Sequence, residues 1–220
     1  MRLAILISLC VLIVAFSVGS LVHYVNWKKN RYDALAIEAA TQYDLHPALL
    51  KAIMAARAHF KYDTSGERGE VGLLQVPLEG VTEYKKEVKN NPDFDFGWVC
   101  INKAHTRHDE TIRRSLPGTC DICRSPLIRG KLYPKENVEM GAWYLSTLKS
   151  RLKTDIEKAT QASINDEDLI PLVIAAYCLS ETTVRSKTHD YGDPVLTPEL
   201  RNSIKHVLDM YQRYKRKGLK

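Results

Sequence analysis

The 220-residue sequence contains no internal repeat, no phosphate-cradling glycine loop, no Ser/His/Asp pattern and no nucleic-acid-binding module, so nucleotide chemistry, serine hydrolysis and nucleic-acid partners have no motif to rest on. Five cysteines are too few for a small disulfide scaffold, although Cys100, Cys120 and Cys123 fall close together. Acidic residues are in deficit: 26 Asp+Glu against 32 Lys+Arg leave a net charge of +6 and a pI near 9.0. That balance suits an anionic polymer or lipid surface. Charge of either sign is missing from Leu3 to Trp27, which argues against a wholly cytosolic enzyme. The chain as a whole is globular in composition, 45% hydrophobic and 26% charged. A chain of this length buries a core without staples and fits one domain, or one domain with an insertion.

The uncharged stretch reaches the ~20 residues needed to cross a hydrocarbon core. Tyr24 and Trp27 stand where interfacial aromatics belong, followed by Lys28, Lys29 and Arg31. Residues 1–27 are therefore read as a single-pass transmembrane anchor; a cleaved signal peptide with Val18-Gly19-Ser20 as its small-residue site is the alternative. The basic cluster after the segment exceeds the charge before it, which by itself favours a cytoplasmic domain.

Beyond the anchor, Tyr32–Tyr43 reads as a helix with Leu35, Ala36, Ala39 and Ala40 on one face. A break at Asp44-Leu45-His46 precedes Pro47, which suits a first helical turn. From Pro47 to about His59, Leu49, Leu50, Ile53, Met54 and Phe60 keep helical spacing. Arg57, four residues after Ile53 and seven after Leu50, shares that apolar stripe. A permanent cation there must snorkel or meet a carboxylate. The glycines of Ser65–Pro77 predict tight turns or a small hairpin. Val81–Asn90 reads as a solvated helix, Ser150–Asp168 as an amphipathic, charged and exposed segment, Ile170–Leu179 as a buried helix, and Asp190–Pro198 as a loop before a last helix.

Five segments together resemble the lytic transglycosylase domain of the soluble, goose-type-lysozyme-like class. They are Tyr43–Met54; Gly69-x-x-Gly72-Leu73-Leu74-Gln75; Asn137–Leu145; Ala175-Ala176-Tyr177; and Thr197–Tyr214. They follow in the family's order over roughly residues 32–90 and 134–214. The resemblance implies an all-α, lysozyme-like domain over 32–214 and a groove facing peptidoglycan. It also implies that Gln75 and Tyr177 line the sugar site, against turn stabilisation for Gln75 and a core aromatic for Tyr177. Glu139 reads as solvated helix surface.

The family cleaves between N-acetylmuramic acid and N-acetylglucosamine with one Glu, in a Glu-Ser-x-Phe motif. Counted back from Phe60, that Glu falls on Arg57 and the Ser on Ala58. Glycosidic cleavage needs a carboxylic acid of raised pKa near the scissile bond, and a guanidinium stays charged above pH ~12. Cys178-Leu179-Ser180 replaces the family's Asn-Ala-Gly after Tyr177. The reading is a fold kept after its reaction was lost. Glu67 and Glu70 are the stand-in acids on the alternative reading of a divergent enzyme; otherwise either pairs with Arg57 or lies in solvent.

Residues 94–133 interrupt the domain as a small β/turn insertion. Pro117-Gly118-Thr119-Cys120-Asp121-Ile122-Cys123 looks like the knuckle of a zinc ribbon or heavy-metal-binding domain, with Cys100 and His105 (or His108) as the opposite arm. Zn held structurally by Cys100, His105, Cys120 and Cys123 is the expectation; a disulfide or free thiols are the alternatives. The whole reads as an inner-membrane, single-pass protein with its domain in the periplasm or outside. Its expected partners are peptidoglycan glycan strands, the membrane and an envelope protein complex. A cytoplasm-facing adaptor that grips a protein partner through the knuckle is the remaining alternative.

Overall fold

Eight consecutive residues of one helix, Ala48–Ala55, are buried, and the rest of the domain is arranged around them. The computed structural model describes residues 2–66, 69–91, 98–100, 127–129, 133–179 and 198–219, through the backbone alone at 2–11, 98–100, 127–129 and 198–200. The elements in order are α1 (Arg2–Asn30), α2 (Asp33–Gln42), α3 (Pro47–Arg57), α4 (Leu78–Glu87), β1 (Trp98–Cys100), β2 (Leu127–Arg129), α5 (Pro134–Thr160), α6 (Asp166–Cys178) and α7 (Pro198–Arg216). Among the described residues the fold is helical, with one short antiparallel ladder that sets Cys100 opposite Leu127 inside the insertion.

Pro47 opens α3 where no amide donor is needed, and His46 caps it by accepting the Ala48 amide at 3.2 Å. Helix α3 packs on α2 and α7, while α5 packs on α2, α4 and α6. The ends of α1, α2 and α7 meet at Lys51, in the middle of α3, and the Lys51 side chain is 6% exposed. Its ammonium donates to Asn30 Oδ1 at 2.9 Å and Asp33 Oδ2 at 2.8 Å, and lies 4.9 Å from the centre of the Tyr214 ring. Partners on α2 and at the end of α1 satisfy this buried cation, as burial of a charge requires.

Between α3 and α4 the chain makes a tight loop with bridges Ser65–Val71 and Val71–Val76. Asn137, fully buried on α5, pins it: its Nδ2 donates to Val71 O at 2.9 Å and its Oδ1 accepts from Leu74 N at 2.9 Å. Gly72 has φ +75°, and a Cβ there would come within 2.3 Å of Asn137 Nδ2. Only glycine meets both demands.

Two expectations need correction. Helix α4 is not a purely solvated helix: Gly80, Val81 and Tyr84 are buried, and Tyr84 meets Trp143 edge-on at 5.5 Å. Three residues at i, i+1 and i+4 make a stripe narrow enough to be masked by the charges around it. Nor is Ser150–Asp168 one exposed segment, because α5 runs on to Thr160 with Leu152 buried and stops at Gln161, φ +55°. Helix α6 then starts after Asn165, which caps it by accepting the Glu167 amide.

Helix α1 is 29 residues, about 44 Å at ~1.5 Å per residue. Its large apolar side chains from Leu12 to Trp27 are exposed. Among the described residues no helix is long and apolar enough to cross a membrane; the side chains at 2–11, which carry the front of the uncharged stretch, lie outside them. At the domain's edge Arg31 donates to Phe60 O and stacks on Tyr32, tying the end of α1 to the exit of α3.

Burial, reinforced by the Lys215 charge and opposed by Glu167, holds the His46 pKa below its ordinary 6.5. The unfolded chain therefore binds the proton more readily, and protonated Nδ1 cannot accept the Ala48 amide. This contribution to stability is complete above pH ~6.5 and is lost as pH falls through that value toward the folded pKa. Thermal melts between about pH 7.5 and about pH 5 should show a Tm that falls with acid. His46→Asn, a cap that does not titrate in this range, should flatten the fall; an unchanged slope would contradict this role.

Candidate functional site

Arg57 closes α3 and Cys178 closes α6, and the two helix ends meet at one point. Arg57 sits where the −0.5 end of the helix dipole favours a cation. Its Nη1 donates to Cys178 Sγ at 3.0 Å and its Nη2 to Glu70 Oε1 at 3.1 Å. The Arg57 side chain is 18% exposed and that of Glu70 6%, so this is a buried ion pair. Burial opposes the charge of Arg57, but Cys178, Tyr177 and Glu70 together outweigh it and raise its pKa above the ordinary guanidinium value.

Local backbone geometry brings Glu70 to this point. Gly66 accepts close approach of the carboxylate: a Cβ at 66 would lie 2.3 Å from Glu70 Oε2. The amide of Gly66 donates to Glu70 O at 2.8 Å, closing the turn. Directly after Arg57 and Ala58 the chain turns through His59 and Phe60, both at positive φ (48° and 59°). Such residues cost energy outside glycine and cluster near functional sites. Here Phe60 is buried and its amide donates to Met54 O at 3.0 Å, which sustains the turn.

Two cavities flank the chain Glu70–Arg57–Cys178. One, of about 400 Å³, is lined by Arg57, Cys178, Asn202, Ser203 and His206 among others. The second, of about 600 Å³, is lined by Glu70, Glu79, Thr82, Glu83, Tyr177 and Cys178 among others. Cys178 lines both, and the Arg57–Glu70 pair crosses from one to the other.

Gln75, buried at φ +51°, donates both amide hydrogens to its own loop, to Thr64 O at 3.0 Å and Gly72 O at 2.8 Å. Tyr177 borders the second cavity, but its hydroxyl donates to Leu74 O at 3.0 Å and burial drives its pKa far up. Glu139 is not simply solvated: it accepts the Tyr84 hydroxyl at 3.1 Å, because Tyr84 reaches across from α4. Glu67, His105, His108, Cys120, Cys123, Ser180 and residues 190–197 lie outside the described residues, as does the Cys100 side chain. Among the described residues no group of three or more His, Cys, Asp or Glu could hold a metal ion.

Sequence reasoning missed Asn202, Ser203 and His206, which stand at i, i+1 and i+4 on α7 beside the first cavity. Their shared spacing was the available signal. It was hidden because an exposed polar face is the ordinary state of a last helix.

No family model and no curated protein matches this chain. Among solved structures the chain is similar to the inactive Glu-to-Gln mutant of the lytic transglycosylase Slt from Pseudomonas aeruginosa, at 19% identity and a TM-score of 0.56. The match covers 86% of this chain and 24% of that one, so this chain spans about a quarter of that protein's length. At this identity the likeness establishes a shared fold, lysozyme-like and helical.

Proposed function

We propose that this chain is a membrane-held protein whose lysozyme-like domain binds peptidoglycan glycan strands without cleaving them. The observation that carries the reading is the buried Arg57–Glu70 pair at the end of α3, where the resemblance calls for a proton-donating Glu. A guanidinium cannot give up its proton near neutrality. An ion pair with a guanidinium also favours the ionised state of a carboxylate, which has no proton to donate.

The uncharged segment Leu3–Trp27 and the exposed apolar side chains of α1 support a single-pass anchor in the inner membrane, with the domain in the periplasm or outside. A divergent glycan-cleaving enzyme is the second reading, favoured by the position of Glu70 on the wall of the larger cavity. For the insertion we keep structural Zn on Cys100, His105, Cys120 and Cys123, and with it an envelope protein partner. The pairing of Cys100 with Leu127 supports this, because it runs β2, which begins four residues after Cys123, alongside Cys100. Metal analysis of protein purified without chelator should find zinc, and Cys120→Ser should lower its content; full zinc in that variant would contradict the site.

Co-sedimentation tests the binding. The full-length chain in detergent micelles should pellet with purified peptidoglycan sacculi and be displaced by soluble glycan fragments. A chain that stays in the supernatant at every salt concentration would overturn the reading.

A further inference from the structure

Helix α1 passes into the domain without a linker. Arg31 and Tyr32 alone separate it from α2, and the Arg31 amide still donates to Trp27 O at 2.9 Å, so the helical turn runs into the junction. Side chains clamp it there. Lys51 holds Asn30, while Arg31 donates to Phe60 O and lies over the rings of Trp27 and Tyr32. From Trp27 to Asn30 the axis rises about 4.5 Å, within a headgroup layer about 5–8 Å deep. With Trp27 at the membrane interface, the groups that touch Asn30 and Arg31 therefore stand at headgroup level.

Three parts of the chain bring cations to that level. Lys28 and Lys29 end α1. Lys61 follows Phe60 at the exit of α3. Near the end of α7, the Tyr214 ring rests 4.9 Å from the same Lys51 ammonium that holds Asn30. Arg213 adjoins Tyr214, and Lys217, three residues on, shares its face; the Lys217 amide donates to Arg213 O at 3.3 Å, which keeps the turn helical. Lys29, Lys61, Arg213 and Lys217 are exposed and Lys28 is half-buried, and none of the five is ion-paired with a described residue. Asp33 is taken up by Lys51 at 2.7 Å, and Asp63 lies near Tyr32. Beyond the other end of α2 the cations are neutralised: Lys149 meets Asp44 at 3.5 Å and Asp166 at 2.7 Å, and Lys153 meets Asp166 at 2.9 Å.

We propose that Lys28, Lys29, Lys61, Arg213 and Lys217 form a collar round the exit of α1 that seats the domain on the anionic phospholipid headgroups of the bilayer α1 enters. The proposal rests on the membrane-held reading and adds the lipid class that the domain itself recognises. A Lys or Arg near an anionic surface is attracted to it, and the attraction fades within a Debye length. The clamps at Lys51 and Arg31 fix Lys61 and the end of α7 beside the exit in advance, which lowers the ordering cost of contact.

The test uses the full-length chain reconstituted in phosphatidylcholine vesicles. Trp27 is 54% exposed, so brominated lipids packed round the exit of α1 should quench it. Subtracting the signal of Trp27→Phe isolates that indole. Brominated phosphatidylglycerol should outcompete brominated phosphatidylcholine by at least about fivefold, the effect of one cation near an anionic surface. The triple variant Lys61→Gln, Arg213→Gln, Lys217→Gln, all at exposed positions, should lose at least half of that preference and still float with the vesicles. Added sodium chloride should weaken the preference. A ratio near one, or a preference unchanged in the triple variant, in chain that floats with the vesicles would overturn the collar and leave the membrane-held reading standing. Sodium phosphate abolishing the preference where chloride of equal ionic strength does not would also overturn it, since the cations would then take free phosphate. Unaltered chain that fails to float with the vesicles would overturn the membrane-held reading itself.

Discussion

Arg57→Ala should lower the unfolding free energy by about 3–5 kcal/mol, the loss typical of breaking a buried ion pair from one side. Removing the guanidinium takes the cation from a carboxylate that is only 6% exposed, and also takes a donor from Cys178. Packing adds to the loss, because the stem of Arg57 continues the apolar stripe of α3. The double variant Arg57→Met with Glu70→Leu should recover most of it, since well-packed apolar residues of similar volume commonly replace such pairs without cost. Chemical denaturation of the unaltered chain, Arg57→Met, Glu70→Leu and their double variant gives the coupling energy directly. A loss below about 1 kcal/mol in Arg57→Ala, the level of an exposed pair, would mean that the two side chains do not hold one another.

That expectation draws on a feature half visible in the sequence. The helical stripe Leu50–Ile53–Arg57 requires the cation to find a partner or escape to solvent, and Glu70 is a nearby carboxylate on the glycine-rich loop. Helix positions, the tight turns after α3 and the burial of α6 all follow from local spacing and composition. Contacts between distant segments do not. Cys178 lies 121 residues from Arg57, and nothing in either segment states that α3 and α6 end at the same point. The same holds for Tyr177, whose hydroxyl meets Leu74 O only after α6 has packed on the loop. Gln75 resembles a sugar ligand by motif, yet a buried amide at positive φ takes its own loop's carbonyls first. Helix α4 shows the opposite limit: its apolar stripe is so short that charge dominates the pattern until Tyr84 is seen against Trp143.

The second large effect concerns turnover. General acid catalysis contributes roughly 10²–10⁴-fold, and a group that also serves as the base contributes more. Arg57 can do neither job, and Glu70 is joined to it as an ion-pair acceptor. Restoring a carboxylate by Arg57→Glu should give little activity, because it would place two acidic groups together beside Cys178 and leave Cys178-Leu179-Ser180 in place of Asn-Ala-Gly. The measurement that decides the matter is release of muropeptides from purified sacculi by the full-length chain, followed by mass spectrometry beside a heat-inactivated control. The expected result is a chain that pellets with the sacculi and releases nothing above the control. Muropeptides that appear with the unaltered chain and vanish with Glu70→Gln would contradict the account.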